Sequence, residues 1–299
     1  MCTALNEKTP YHLFGRTLDL ECSYGEEVVI TPRRFRFEFK HESVTDIRYA
    51  IIGTAHIAGN TPLYYDAANE KGLCAAALRF PELTVYRTPL PDRINLASFE
   101  IIPWILGNFS SAAEARAALE RVNITNDDFS IDLPSTPLHW MIADKENTFV
   151  VESVADGVKI YDNPTGVLTN APEFSEQTSL LKKSESDKLL GDGSSTSRFI
   201  RANYAKSHTM PESDKTLAIS RFFHIMSTVS LPHGYSRGIG DKPMKTLYTS
   251  CIDTEDMTYY FTTYSCRQIR GVRLTEQIAG HTHLTSFPTN HSEKICFLS

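Results

Sequence analysis

The sequence predicts an α+β protein in which helices cover antiparallel sheets, in four layers within one domain. Apolar and polar residues alternate with period two over much of the chain, which is typical of strands with one buried face. The turn dipeptide Asp156-Gly157 joins two such segments and favours a tight hairpin. Helical patterns fall in two clusters between groups of strands, an order typical of helices that cover antiparallel sheets.

The first third of the chain predicts three strands. Residues 26–37 alternate, and Phe35 and Phe37 alternate there with Arg34 and Arg36. Residues 47–53 and 72–80 are more uniformly apolar, as expected for buried strands. The second of these is rich in small side chains, which allow another layer to pack closely against it.

The first helix cluster follows. Residues 98–109 are apolar on most sides and predict a buried helix, whereas the capping-box sequence from Ser111 to Glu114 predicts the start of a second helix that ends near residue 122. The remaining predicted elements are strands at 138–144, 148–154, 157–161 and 166–170, helices at 197–207 and 213–229, and strands at 246–253, 257–264 and 268–274.

We expect a single domain over residues 2–299, with Met1 removed. Residues 174–193 are rich in Ser, Lys and Asp and predict a surface excursion, and residues 280–299 predict a polar C-terminal tail. The hydrophobic content of 41% in 299 residues is enough for a large buried core.

Composition favours small-molecule partners over macromolecular ones. The net charge is −6 and no block of Lys and Arg occurs, so we expect neither nucleic-acid nor membrane binding. The chain begins without a basic and then apolar leader, and no stretch approaches the ~18 apolar residues of a membrane span, which predicts a cytoplasmic protein. Its six cysteines are dispersed without a CxxC pair, so we expect no disulfide framework, no metal and no cofactor.

Cys2 is the strongest functional signal, because it lies directly behind Met1. Removal of Met1 would place a thiol and a free α-amino group on one residue. An α-amino group has a pKa of about 7.7–8.0 and can take the proton of the thiol, which is nucleophilic as its thiolate. This pattern predicts a cysteine nucleophile activated by its own amine.

Three other segments carry polar groups where apolar ones are expected. Arg16 and Asp19 follow an apolar strand entry, and Asn170 ends a predicted strand with an amide. Arg198 lies at the start of a predicted helix, where the helix dipole favours an acid instead.

With these segments in order along the chain, the sequence resembles the choloylglycine hydrolases, an N-terminal nucleophile (Ntn) hydrolase family that includes bile salt hydrolases and penicillin V acylases. The resemblance covers residues 1 to about 274. It implies an αββα sandwich with Cys2 at the end of a central strand, and a homo-oligomer, either a dimer or a tetramer. The segments that carry it are Met1-Cys2-Thr3, Gly15-Arg16-x-x-Asp19, 69–73, Leu138-His139-Trp140-Met141, 167–172, Ser197-Arg198-Phe199 and 248–251.

The resemblance also implies roles for the polar residues. Cys2 would be the nucleophile, and its α-amine would accept and later return a proton. Arg16 would lie against the thiol and favour the thiolate, and Asp19 would orient the amine. Together these groups imply amide hydrolysis through a thioester.

The same resemblance implies an oxyanion hole, in which the Asn170 side-chain amide and the Arg79 backbone N–H bind the tetrahedral intermediate. Arg198 would complete the polar cluster. Arg79 departs from the family, because bile salt hydrolases usually carry Asn at this position and penicillin acylases usually carry Tyr. Its side chain is expected at the mouth of the pocket, near the leaving group.

The expected substrate is an amide with an apolar acyl part, most simply a bile acid conjugated to glycine or taurine. The alternatives are a penicillin V acylase or an acyl-homoserine-lactone acylase, and, in other classes, a glutamine-amidotransferase-like domain or a non-catalytic binding protein. Glutamine amidotransferases usually continue Cys-Gly-Ile, whereas Thr3-Ala4 follows here. The residues expected to bind substrate are Leu18, Tyr64, Tyr65, Arg79, Trp140 and Met141.

Overall fold

Two antiparallel sheets pack face to face, and helices cover the outer face of each. The structure is a computed structural model and describes residues 1–184 and 191–298. Its strands are β1 (Cys2–Glu7), β2 (Leu13–Leu20), β3 (Glu27–Thr31), β4 (Arg36–Phe37), β5 (Thr45–Asp46), β6 (Ile51–Ala58), β7 (Thr61–Asn69), β8 (Cys74–Arg79), β9 (Ile94–Ala97), β10 (Val122–Thr125), β11 (Leu138–Ala143), β12 (Thr148–Val154), β13 (Gly157–Asp162), β14 (Val167–Leu168), β15 (Lys245–Asp253), β16 (Thr258–Thr263), β17 (Cys266–Arg273) and β18 (Thr285–Pro288).

One sheet has six strands in the order β14-β1-β2-β15-β16-β17, and the other has eight in the order β13-β12-β11-β8-β7-β6-β3-β18. The pair β9 and β10 runs parallel, and β4 pairs with β5. Because β1 lies inside the six-stranded sheet, Cys2 at its N-terminal end is buried. The helices are α1 (Ile101–Asn108), α2 (Ala112–Leu119), α3 (Phe174–Lys183), α4 (Ser195–His208), α5 (Lys215–Ser227) and α6 (Glu276–Ala279).

The eight-stranded sheet separates two hydrophobic cores. The inner core lies on the side that faces the six-stranded sheet and includes Leu78 and Met141, whereas the outer core lies under α1 and includes Trp140 and Ile105. Neighbouring residues of a strand point to opposite faces, so Trp140 and Met141 belong to different cores. The predicted α+β class and four-layer order are confirmed.

The first predicted strand is shorter than expected. It ends at Thr31 because Pro32 cannot donate to a ladder and Arg34 adopts a positive φ of 63°, so the chain turns before β4. Strand β7 was not predicted, because Tyr64 and Tyr65 are both large and interrupt the alternation.

The two predicted surface segments contain regular structure. Helix α3 occupies the first part of residues 174–193, and residues 185–190 lie outside the described residues. Within residues 280–299, expected to be a polar tail, β18 pairs with β3 at the edge of the eight-stranded sheet.

Candidate active site

The register of β1 and β2 brings the predicted nucleophile and its neighbours onto one face. Cys2 pairs with Leu18, and Ala4 pairs with Arg16, so these side chains all point toward the eight-stranded sheet. The Cys2 side chain is buried. Met1 extends the ladder by one residue, because its amino group donates to Asp19 O at 2.8 Å and Asp19 N donates to Met1 O at 3.0 Å.

Arg16 crosses the interior and ends between two strands of the opposite sheet. Pairing of β7 with β8 runs only from Ala68 and Cys74 to Asp66 and Ala76, so the strands separate beyond that point. There the guanidinium donates from Nη1 to Tyr65 O at 3.0 Å and to Ala77 O. Its buried Nη2 has no partner among the described residues and so keeps a donor available.

Arg16 stays positively charged although its side chain is fully buried. Burial alone would lower its pKa, but the attraction of Cys2, and then of Tyr248, Asp66 and Asp19, raises the pKa above its usual value. The Arg16 guanidinium is therefore permanently charged on the face of β2 that also carries the Cys2 side chain.

Asp66 is a buried carboxylate that the sequence analysis missed. It accepts hydrogen bonds from Tyr248 Oη, from Ser250 Oγ at 2.8 Å and from Tyr259 Oη at 2.8 Å. Burial raises its pKa. Ser250 Oγ also accepts from Arg16 N at 3.0 Å, so this network contacts the strand that carries Arg16. An acid between the two tyrosines and the two alanines of β7 is the signal that could have identified it.

Asp19 lies on the opposite face of β2 from Arg16. Its Oδ1 accepts from Thr246 Oγ1 at 2.6 Å, and its Oδ2 accepts from Thr17 Oγ1 at 3.3 Å. The pKa of the Met1 α-amino group is lowered by burial, while Cys2 and Asp19 act in the opposite direction. The Met1 α-amino group is therefore deprotonated more readily than an amino group in water, and Cys2 and Asp19 limit the effect.

Asn170 connects three parts of the site. Its Oδ1 accepts from Cys2 N at 2.8 Å and from Arg198 Nη2 at 2.8 Å, and its Nδ2 donates to Arg79 O at 2.6 Å. A side-chain amide has two N–H donors, so this geometry leaves one Nδ2 hydrogen for another acceptor.

The Arg79 backbone N–H points to the same side as Asn170. Phe80 N donates to Pro137 O at 2.9 Å, and the neighbouring pair is Arg79 with Leu138. Hydrogen-bonded and non-hydrogen-bonded pairs alternate along an antiparallel ladder, and a residue directs its N–H and C=O to the same side. The N–H of Arg79 therefore points away from β11, to the side on which its carbonyl already meets Asn170.

Arg198 reaches the site from the first turn of α4. It is fully buried, and its Nη1 donates to Cys2 O and to Thr3 Oγ1 at 2.8 Å, while Nε donates to Gly193 O at 3.1 Å. Burial lowers its pKa. The guanidinium thus binds the peptide of Cys2 from the helix layer, as Arg16 approaches from the sheet layer.

The side chain of Arg79 forms an ion pair with Glu21. Its Nη1 lies 3.3 Å from Glu21 Oε1, and 23% of the Arg79 side chain is exposed, so the pair lies at the protein surface beside the buried groups. Sequence reasoning missed Glu21; its only signal was a charge directly after the buried strand β2.

Two of the residues expected to bind substrate are not part of this site. Trp140 and Tyr64 belong to the outer core, on the far face of the eight-stranded sheet, and Tyr64 Oη bonds Thr31 Oγ1 at 2.7 Å. The prediction for both is wrong, because their side chains point to the face of the sheet that lies away from Cys2. The next residue in each case points to the face that lies toward Cys2. Those neighbours, Met141 and Tyr65, face the inner core.

The remaining expected pocket residues differ in their access. Met141 is fully buried and its Sδ accepts from Asn163 Nδ2 at 3.5 Å, so it is part of the packing between the sheets. Leu18 lies beside Cys2, and Tyr65 is partly buried against the inner core. Of the apolar residues predicted for the pocket, only Leu18 and Tyr65 are therefore both close to the site and on its face.

Within residues 1–184 and 191–298 we find no group of three or more His, Cys, Asp or Glu side chains placed to hold a metal ion. None of the helices in the described part of the chain is long and apolar enough to cross a membrane.

Comparison with known proteins agrees with this geometry. Residues 2–287 match the family described as linear amide C–N hydrolases, choloylglycine hydrolase family. The bile salt hydrolase/transferase of Lactiplantibacillus plantarum is 40% identical over 313 aligned positions, which cover 96% of this chain and 97% of that protein.

Solved structures show the same architecture. The C2A variant of the conjugated bile acid hydrolase from Clostridium perfringens superposes with a TM-score of 0.91 at 29% identity, and all of both chains is covered. Penicillin V acylase from Agrobacterium tumefaciens shares the fold, with a TM-score of 0.83 at 19% identity over 98% of this chain and 94% of that one.

Proposed function

Because the chain belongs to the choloylglycine hydrolase family of linear amide C–N hydrolases, we propose that it hydrolyses bile acids conjugated to glycine or taurine through a thioester on Cys2. The observation that carries this proposal is the Asn170 side chain, which meets Cys2 N, Arg198 and the Arg79 peptide at once. Identity of 40% to a bile salt hydrolase/transferase supports the choice of substrate.

The reaction requires that Met1 is removed. The nitrogen of Cys2 then becomes an amine, already within 2.8 Å of Asn170 Oδ1. This amine takes the thiol proton, and the thiolate attacks the amide carbonyl to form a C–S bond and an oxyanion. The intermediate then loses its C–N bond as the amine protonates the leaving nitrogen. Water hydrolyses the thioester, which releases the acid and restores the thiol.

Two charged residues prepare the nucleophile. Arg16 stabilises the thiolate, because its guanidinium is buried, permanently charged and held by carbonyls of the opposite sheet. Asp19 acts on the amine, since its carboxylate is fixed by Thr246 and Thr17 and interacts electrostatically with an amino group at this end of β1.

The oxyanion is bound by two donors that lie on the same side of β8. One is the remaining Nδ2 hydrogen of Asn170, and the other is the N–H of Arg79. Donors fixed in a buried site act mainly on the transition state, and each is typically worth ~10²–10³ in kcat.

The substrate is positioned by groups at the opening. Tyr65, which is partly buried, offers apolar surface to the acyl group, Leu18 is buried beside Cys2, and the Arg79 guanidinium offers a cation to the carboxylate of glycine or the sulfonate of taurine. The Glu21 carboxylate already offsets part of this charge, which would keep the attraction moderate.

The test compares protein that begins at Cys2 with protein whose N-terminus is extended by a cleavable tag. Both are assayed on glycocholate, taurocholate, penicillin V and a long-chain acyl-homoserine lactone. We expect bile acid release only after the tag is cleaved, and alkylation of Cys2 should abolish it. Full activity of the extended protein would refute the mechanism, and cleavage of penicillin V or the lactone alone would refute the substrate.

The proposal includes a single domain that starts at Cys2, a cytoplasmic location and a homo-oligomer. Intact mass of the active protein tests the first point, cell fractionation the second, and sedimentation velocity the third.

A further inference from the structure

A histidine and a glutamate form a buried pair behind the candidate site. His139 and Glu152 are partners in the register of β11 and β12, and neither is exposed. His139 Nδ1 lies 3.1 Å from Glu152 Oε1, and Nε2 lies 2.8 Å from Thr169 O. The side chains thus link the eight-stranded sheet to the segment that leads into Asn170.

The hydrogen-bonding partners indicate where the two hydrogens of this pair lie. A carbonyl oxygen only accepts, so His139 Nε2 carries a hydrogen and donates to Thr169 O. The other ring nitrogen faces a carboxylate, so a second hydrogen lies between Nδ1 and Oε1. The pair is neutral as a whole, which allows it to stay fully buried.

Both ends of one short segment depend on the pair. Thr169, which precedes Asn170, is held by the His139 ring. Phe174, the first residue of α3, donates its N–H to Glu152, at 3.0 Å to Oε1 and 3.3 Å to Oε2. Residues 169–174 are therefore fixed to the eight-stranded sheet at their start and at their end.

The same ring also contacts the strand that carries Arg79. Phe80, which follows Arg79, stacks on His139 with ring centroids 4.4 Å apart and planes inclined by only 7°. One imidazole thus touches the residue before Asn170 and the residue after Arg79.

We propose that the His139–Glu152 pair is a positioning device for amide hydrolysis, which sets the distance between the Asn170 amide and the Arg79 N–H so that both reach one oxyanion. The inference rests on the proposed function of these two donors. The pair acts through its neighbours, because neither side chain bonds Cys2, Arg16 or Asp19 among the described contacts.

Other bonds keep the segment folded when the pair is removed. Ser195 Oγ accepts from Asn170 N at 2.8 Å, and Gln177 Nε2 donates to Asn170 O and, at 2.8 Å, to Pro172 O. These contacts come from the helix layer, so loss of the pair should displace Asn170 relative to β8 without releasing it.

The experiment uses three variants of the processed enzyme. His139→Phe keeps an aromatic ring against Phe80 but loses both hydrogen bonds, His139→Gln keeps a donor for Thr169 O, and Glu152→Gln keeps the shape of the carboxylate. We expect His139→Phe to lower kcat for glycocholate roughly 10- to 100-fold with KM within about twofold, because a displacement on the order of 1 Å can cost ~10² in rate. His139→Gln should recover part of the loss.

Alkylation of Cys2 by iodoacetamide separates positioning from a general structural effect. It requires the thiolate but no oxyanion donor, so its rate and pH profile should stay at the wild-type values in all three variants. The matched control is Glu7→Gln, which breaks a buried ion pair with Arg221 at the far end of β1. It should lower the unfolding temperature and leave kcat unchanged.

Two results would overturn the proposal. Unchanged kcat in His139→Phe, with lower stability as in Glu7→Gln, would make the pair purely structural. If a variant loses kcat and alkylation rate to the same extent, the pair acts on the reactivity of the Cys2 thiol and not on the oxyanion donors. If His139→Phe does not fold, the same comparison is made with His139→Gln and Glu152→Gln. An error in the proposed substrate gives a different result, in which the wild-type enzyme cleaves penicillin V but not glycocholate. In that case the kcat values of the variants are compared on penicillin V.

Discussion

Replacing Asn170 by alanine tests the candidate site most directly. The substitution removes three hydrogen bonds, from Cys2 N, from Arg198 and to Arg79 O. Two neutral bonds contribute about 1 kcal/mol each and the bond from the guanidinium about 1.5–3 kcal/mol, so the free energy of unfolding should fall by roughly 3.5–5 kcal/mol. A typical domain is stable by about 5–15 kcal/mol, so we expect the variant to fold.

The catalytic effect should be separate from the loss of stability. Loss of one oxyanion donor lowers kcat by ~10²–10³, equivalent to ~2.7–4 kcal/mol in the barrier, and KM should change little because the oxyanion exists only after attack. Steady-state kinetics on glycocholate, well below the unfolding temperature of the variant, measures both constants.

The chain offers a matched control in Asn69. This buried side chain also makes several bonds to the backbone: its Nδ2 donates to Leu106 O and Phe109 O at 2.8 Å each, and its Oδ1 accepts from Lys71 N at 3.0 Å and Leu73 N at 3.2 Å. Asn69→Ala should lose comparable stability and keep kcat. A kcat within threefold of wild type in Asn170→Ala, or a change in KM alone, would refute the assignment of Asn170 to the oxyanion.

Cys2→Ser should keep the fold and lose most of its rate, since a serine hydroxyl is harder to deprotonate than a thiol; circular dichroism and turnover check this. Asp19 raises the pKa of a neighbouring amine, so Asp19→Asn should move the acid limb of the kcat/KM profile to lower pH and reduce its maximum; an unchanged profile would exclude Asp19 from the proton transfer. Arg79→Asn removes the guanidinium at the opening and should raise KM for glycocholate and taurocholate with kcat almost constant, while KM for a neutral amide stays the same. Tyr64→Phe removes only an outer-core hydrogen bond and should leave kcat and KM at wild-type values; a KM change would contradict its placement.

Much of the fold could be predicted because alternation reports which residues share a face. The same property made the polar residues of the site visible, since Arg16 and Asp19 are charged residues in a strand whose eight residues are all buried. Asn170 and Arg198 were identified in the same way, Asn170 at the end of a predicted strand and Arg198 at the start of a predicted helix.

The pocket could not be predicted from the same pattern. The alternation indicates that Trp140 and Met141 point to opposite faces of the sheet. Which of these faces lies toward Cys2 depends on how the two sheets stack. The ion pair of Arg79 with Glu21 could not be predicted for the same reason, because these residues are far apart in sequence and meet only in the tertiary structure. Strand β18 was missed because it is only four residues long, it ends in a proline, and its partner β3 lies far away along the chain.

The insertion of Arg16 between β7 and β8 has a consequence for how this protein can change. The guanidinium that faces the thiol donates from Nη1 to carbonyls of two separate strands and from Nε to Thr17 O at 3.2 Å, so its donors are spread over two nitrogens, whereas lysine has only one. A substitution that retunes thiol reactivity would at the same time leave the carbonyls of Tyr65 and Ala77 unsatisfied. Laboratory evolution toward new amides should therefore accumulate changes at the Arg79 and Glu21 opening and retain Arg16.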